Sequence, residues 1–114
     1  MPLGLFQFLN LLRQRVHFFV FAWASFDGLD IKGMEKMHLD HIVVPMTGEP
    51  DLGALKTSMR ELKLEPAAPI LLIDGDGVRA REIAQALDEE SYINVFYALD
   101  GVSGFLSEKQ ASLQ

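Results

Sequence analysis

A short apolar run that ends in a loop of alternating aspartate and glycine is the feature that most constrains this chain. Residues 70–73 are Ile-Leu-Leu-Ile, and Asp74-Gly75-Asp76-Gly77 follows them directly. Such a run is typical of a central strand in a parallel sheet, where both faces of the strand are covered. Apolar residues then recur at helical spacing, at Ala80, Ile83, Ala84 and Leu87. The pattern predicts a buried strand, a loop and a helix, in that order.

The rest of the chain alternates in the same manner between helical stripes and short apolar runs. We predict helices over residues 3–15 and 52–64, a short helix or turn over 29–37, and strands over 18–25, 41–46 and 93–99. Asp51 is the predicted N-cap of the helix that begins at residue 52. This alternation indicates the α/β class, with a mainly parallel central sheet flanked by helices.

The length of the chain allows one domain. Its 114 residues, 49% of them hydrophobic, can bury one core without disulfides or a structural metal. We expect a single domain over residues 1–106. The polar residues 107–114 are expected to form a frayed tail or a final helical turn.

Charge and cysteine content exclude several classes of function. There is no cysteine, which removes disulfides, thiolate metal ligands and cysteine nucleophiles. The net charge is −6, and acidic and basic residues balance over residues 1–44, so the whole excess lies in residues 45–114. A nucleic acid is therefore not expected as a partner.

The apolar stretches near the start of the chain are too short to predict a membrane span. Arg13 and Arg15 interrupt them before they reach the roughly 18 to 20 residues that a span requires. Residues 13–24 imitate a signal peptide, but His17 lies in the apolar part and another apolar stretch precedes the arginines. We expect a soluble, cytoplasmic chain without a membrane partner.

The loop after residue 73 is the predicted functional site. In α/β sheets, ligands gather beyond the carboxyl ends of the strands, where a helix N-terminus can hold negative charge. Gly75 and Gly77 allow several backbone N–H groups to point inward, which forms a cradle for one anion. The candidate site residues are Asp74, Gly75, Asp76, Gly77, Val78 and Arg79.

This loop resembles the active-site loop of the rhodanese family. In that family a catalytic cysteine ends an apolar strand, and the six-residue loop has glycine fourth and often arginine sixth. Here Asp74 stands at the cysteine position, Gly77 at the glycine and Arg79 at the arginine. Residues 94–99 and 101–105 are similar to the family's next strand and its glycine-rich ending, with Val102 and Phe105 as departures.

Upstream of this loop the similarity is weaker. Residues 38–45 resemble the family's histidine-isoleucine-proline-glycine segment, but they are shorter and lack the glycine. The family's aspartate-x-arginine is absent, because residues 22–25 stand at that place. The resemblance is thus specific over residues 69–105 and compatible over residues 1–68.

The resemblance implies a three-layer rhodanese-like domain without sulfurtransferase activity. An aspartate cannot form the persulfide that a rhodanese cysteine carries. The Asp74 carboxylate is expected to fold back and accept the loop N–H bonds itself, while Asp76 adds a second negative charge that repels thiosulfate. This implies a binding or regulatory module with an unidentified protein partner and no cofactor.

An alternative resemblance points to an enzyme. Residues 71–78 are similar to the first motif of haloacid-dehalogenase-type phosphatases, in which Asp74 would attack phosphorus, Asp76 would act as acid and base, and magnesium would bridge them to the phosphate. That motif normally begins its domain, whereas only about 40 residues follow it here, too few for the remaining strands and acidic residues.

Other polar residues are given structural interpretations. A calcium loop fails because Leu72 and Ile83 would occupy its first and twelfth positions, where carboxylates are required. His38 and His41 lack a third metal ligand and are interpreted as a surface or turn pair.

Arg79 is expected to pair with Asp74, Asp76 or Glu82, or else to bind an anion. Trp23 is expected in the core.

The predicted first helix is apolar on more than one face. Leu3, Phe6 and Leu11 lie off its main stripe. This extra face is either domain core or a contact surface for a second copy or another protein, and an exposed apolar patch would favour the contact surface.

Overall fold

Short strands and helices alternate along the chain. The computed structural model describes residues 1–24 and 43–112. Within them lie strands β1 (Pro2–Leu3), β2 (Phe19–Ala22), β3 (Val43–Pro45), β4 (Ile70–Ile73) and β5 (Val95–Ala98), and helices α1 (Leu5–Arg13), α2 (Leu52–Glu61), α3 (Val78–Glu89) and α4 (Gly101–Ser112). The predicted helix or turn over residues 29–37 lies outside the described residues, as do His38 and His41.

The five described strands form one sheet in the order β1-β5-β4-β2-β3, and every pairing between them is parallel. The α/β class and the parallel sheet are therefore confirmed. β4 lies in the centre of the sheet, and all four of its residues are fully buried. Its purely aliphatic sequence is what a strand covered on both faces requires.

Helices cover both faces of the sheet. Successive side chains along a strand point to opposite sides, so each strand contributes residues to both faces. On one face, α1 and α4 pack on the strands through a cluster that includes Leu5, Phe8, Phe105, Val20, Leu71 and Ile73. On the other face, α2 and α3 pack through Leu55, Met59, Ile83, Leu87, Phe21, Ile70 and Leu72.

The beginning of the chain differs from the predicted first helix. Pro2 and Leu3 form β1, and the helix extends from Leu5 to Arg13 rather than over residues 3–15. The backbone N–H of Tyr97 donates to the Met1 carbonyl oxygen (3.0 Å), and that of Leu99 to the Leu3 carbonyl oxygen (2.8 Å). A strand of two residues has no periodicity of its own, so only its pairing with β5 reveals it.

The extra apolar face of the first helix is mostly core. Leu3 is buried in β1, and Leu11 packs half-buried against the core cluster under α1 and α4. Phe6 alone of the three stays half exposed, at 50%. The domain-core alternative is therefore the one that these side chains favour.

Two further elements test predictions from the sequence. The Asp51 carboxylate accepts a hydrogen bond from the Ala54 N–H (3.0 Å), which confirms Asp51 as the N-cap of α2. α4 continues to Ser112, so residues 107–112 of the expected tail are helical. Within the signal-like segment, Phe19–Ala22 form β2, which pairs with β4 on one side and β3 on the other.

Among the described residues, none of the helices combines the length and the apolar character that crossing a bilayer requires.

Candidate functional site

The candidate site lies where the buried strand β4 ends and α3 begins. Because all described strands are parallel, the carboxyl ends of β2, β4 and β5 lie along the same edge of the sheet. The four loop residues 74–77 connect β4 to α3. Gly77 ends the loop with φ +88°, a left-handed conformation that favours glycine.

Asp74 is a buried carboxylate held by backbone N–H groups. Only 4% of the surface of Asp74 is exposed to solvent. It is the one buried charged residue in the described part of the chain. Its Oδ1 accepts a hydrogen bond from the Gly77 N–H (2.7 Å), and its Oδ2 accepts one from the Ala80 N–H (3.1 Å). The expectation that Asp74 folds back onto the loop is confirmed.

The physical reason for this arrangement is the start of α3. The first N–H groups of a helix have no partner within the helix and carry the positive end of its dipole. A carboxylate placed there forms charge-assisted hydrogen bonds, which compensate for its burial. In this loop the side chain of Asp74 occupies the position that an external anion would need.

Asp76 accepts a hydrogen bond from a further N–H group, on the solvent side of the loop. Its Oδ1 accepts a hydrogen bond from the Val78 N–H (3.0 Å), and the residue is exposed. Two carboxylates of the chain itself thus satisfy three N–H groups, those of Gly77, Val78 and Ala80. The cradle predicted from the glycines is present, and the chain fills it internally.

A second turn, between β5 and α4, supports the loop from behind. The Val102 N–H donates to the Asp74 carbonyl oxygen (2.8 Å), and the Ser103 N–H donates to the Gly75 carbonyl oxygen (3.2 Å). Asp100 and Gly101 both have positive φ, 56° and 64°. The start of α4 therefore donates to the loop backbone, while the start of α3 donates to the loop side chains.

This contact between the turn and the loop is not among the features predicted from the sequence. Residues 101–105 are predicted there as a family-like ending, with no role at the site. The available signal was the pair Asp100-Gly101 directly after a strand, a combination that favours a turn with positive φ. The sequence alone does not show which other loop such a turn contacts.

The predicted partners of Arg79 are wrong. Its guanidinium lies 3.8 Å from the Glu49 carboxylate, and both side chains are largely exposed. Both oxygens of Asp74 are directed at backbone N–H groups. An ion pair as long and as exposed as that of Arg79 and Glu49 contributes little to stability.

Two clefts flank the loop. The first has a volume of about 390 Å³, and it is lined by Trp23, Glu49, Pro50, Asp74, Gly75, Asp76, Arg79 and Ser103. Trp23 packs against the core as expected but also forms a wall of this cleft. Its Nε1 is buried and has no hydrogen-bond partner among the described residues. The second cleft, of about 360 Å³, lies between α3 and β5.

The geometry does not favour Asp74 as a phosphoryl nucleophile. A nucleophilic carboxylate must present one oxygen to the phosphorus, whereas both oxygens of Asp74 accept N–H bonds in a buried position. Within residues 1–24 and 43–112, no group of three or more His, Asp or Glu side chains is arranged to hold a metal ion.

Comparisons with known proteins add no assignment. No family model matches the chain, and no curated protein matches it significantly.

Proposed function

We propose that this chain is a catalytically inactive rhodanese-like domain of three layers, which acts in the cytoplasm as a binding or regulatory module through residues 74–79. The observation that carries the proposal is the buried carboxylate of Asp74, which lies at the predicted place of the catalytic cysteine and accepts the N–H bonds of Gly77 and Ala80. A parallel sheet covered by helices on both faces supports the rhodanese-like fold.

The inactivity follows from the chemistry of the side chain. Sulfur transfer from thiosulfate requires a thiolate that attacks the sulfane sulfur, releases sulfite and keeps the sulfur as a persulfide. A carboxylate forms no such intermediate. In addition, the cleft is lined by three carboxylates and one guanidinium, that of Arg79, and this excess of negative charge repels an anionic donor.

The first experiment is a thiosulfate:cyanide assay on the purified chain. We expect no formation of thiocyanate above the buffer rate, and turnover above that rate would contradict the claim of inactivity. In a parallel assay with magnesium and an aryl phosphate we also expect no turnover. Phosphate release that Asp74→Asn abolishes would support the phosphatase alternative instead.

A second experiment tests the rhodanese-like cradle itself. The chain contains no cysteine, so Asp74→Cys and Ser103→Cys each create a single thiol. Ser103 is exposed and lines the same cleft, which makes it a matched control outside the cradle. We expect the thiol at position 74 to be the more acidic, because the N–H groups at 77 and 80 stabilise its thiolate.

The readouts are the pH dependence of alkylation by iodoacetamide and the gain of one sulfur atom, by mass spectrometry, after incubation with thiosulfate. Persulfide formation at position 74 but not at position 103 supports the rhodanese-like assignment. Equal reactivity of the two thiols in folded variants would contradict it.

A further inference from the structure

The cleft between α3 and β5, called here the α3–β5 groove, exposes two aliphatic side chains. Val78 is 58% exposed and Leu99 is 43% exposed, and both line the groove together with Tyr97. These two side chains lose their unfavourable contact with water when a partner covers them, which adds a modest apolar contribution to binding.

Hydrogen bonds fix the backbone at both residues. The N–H of Val78 is bonded to the Asp76 carboxylate at the start of α3. The N–H of Leu99 is bonded to the Leu3 carbonyl oxygen, and the turn at Asp100 and Gly101 begins immediately afterwards. A backbone that is ordered before binding loses little conformational entropy when a partner binds.

The charges around the groove favour a partner segment with positive charge. Besides the phenol of Tyr97, four ionisable side chains line the groove. Three are carboxylates (Asp76, Glu82 and Asp100), and one is a guanidinium (Arg81). The whole negative excess of the chain also lies in residues 45–114. Such a surface attracts cationic groups and repels anionic lipids and nucleic acids.

We propose that the α3–β5 groove is a docking surface for a segment of a partner protein in which lysine or arginine alternates with aliphatic side chains. The aliphatic groups contact Val78 and Leu99, and the cationic groups pair with the surrounding carboxylates. The inference deepens the proposed function and rests on it, because it gives the binding module a class of partner.

The test is a titration of the full, isotopically labelled chain followed by amide NMR spectra. The probe is a six-residue peptide that alternates lysine and leucine, compared with a glutamate-leucine peptide and a lysine-serine peptide of the same length. We expect the lysine-leucine peptide to shift the amide signals of residues 76–82 and 97–100 and to bind more tightly than either control. Shifts spread over other acidic surfaces would overturn the proposal.

Variants separate the apolar contribution from the charge contribution. Val78→Ser with Leu99→Ser is expected to raise the Kd of the lysine-leucine peptide roughly tenfold, which corresponds to about 1.4 kcal/mol. The control is Ile93→Ser, since Ile93 is 66% exposed and lies outside the groove. If the double variant binds no more weakly than this control, the proposal is wrong.

A second set of variants does not depend on the apolar substitutions. Glu82→Gln with Asp100→Asn is expected to weaken binding severalfold, and Asn also tolerates the positive φ of position 100. The control is Glu61→Gln with Glu65→Gln, at exposed residues away from the groove. Equal weakening by both pairs would show attraction by overall charge alone and overturn the docking site.

The outcomes also separate this inference from the proposed function. An inactive chain that does not bind the peptide contradicts the groove but leaves the inactive domain standing. A chain that transfers sulfur and binds the peptide contradicts the inactive domain but leaves the groove standing. A dimer that Val78→Ser with Leu99→Ser dissociates would assign the groove to a second copy and overturn the proposal.

Discussion

At the scale of single residues, the contact between the loop after β4 and the turn after β5 depends on Gly101. A Cβ atom added at Gly101 would lie 2.5 Å from the Asp74 carbonyl oxygen and 2.6 Å from the Asp76 nitrogen. These neighbours are backbone atoms, which cannot give way as the end of a flexible side chain can. Its φ of +64° also lies in the left-handed region.

Gly101→Ala is therefore expected to destabilise the chain more than Gly48→Ala does. Gly48 has a similar φ of +73°, but a Cβ atom added there would meet no described atom within 4 Å. Gly48→Ala should cost about 1 kcal/mol through backbone strain alone. Gly101→Ala should cost a further 1 to 3 kcal/mol, roughly, because of overpacking. Urea unfolding measures both free energies, and equal losses would show that the close approach has no energetic consequence.

The site residues also show which parts of a site can be predicted from the sequence. The hydrogen bonds of Asp74 follow from residues 74–80 alone, because a carboxylate beside unpaired helix N–H groups satisfies them locally. The ion pair of Arg79 with Glu49 was missed, because it joins α3 to the loop before α2. A contact between distant segments depends on the complete fold.

At the scale of elements, prediction succeeded where the signal is local. β4 was predicted with its observed bounds, because a continuous apolar run between a proline and an Asp-Gly loop is self-contained. β1 was missed, because its two residues become a strand only through pairing with β5. α4 was missed because Gly101 and Gly104 lower its helix propensity and its apolar residues form no clear stripe.

Helices α1 and α4 are joined by two hydrogen bonds that the sequence does not indicate. The Oε2 of Glu108, on α4, accepts hydrogen bonds from the N–H of Leu5 (2.8 Å) and of Phe6 (3.4 Å) at the start of α1. The N-cap position of α1 is Gly4, which has no side chain to accept these bonds. The carboxylate of one helix thus caps the other.

Glu108→Ala is expected to lower the free energy of unfolding by about 1 kcal/mol, the usual cost of losing an N-cap. Amide hydrogen exchange at Leu5 and Phe6 should accelerate, because their N–H groups lose an acceptor. Glu89→Ala is the matched control, since Glu89 is an exposed residue near the end of α3. Unchanged exchange at Leu5 would contradict the capping role.

At the scale of the whole molecule, the exposed apolar surface decides whether the first helix can join two copies. A standard interface buries about 800 Å² of each partner. On α1 the exposed large apolar side chain is Phe6, which is half exposed and therefore offers on the order of 100 Å². The negative charge of each copy adds repulsion at low salt.

We therefore expect the chain to be a monomer at micromolar concentration, with Phe6→Ser leaving its sedimentation coefficient unchanged. The same substitution should cost well under 1 kcal/mol of stability, roughly, because Phe6 contributes little to the core. Leu9→Ser is the contrasting variant on the same helix, since Leu9 is 6% exposed and packs in the core cluster. It should destabilise the chain by several kcal/mol, roughly. Sedimentation equilibrium decides the question, since a dimer that Phe6→Ser dissociates would assign the exposed face of α1 to a second copy.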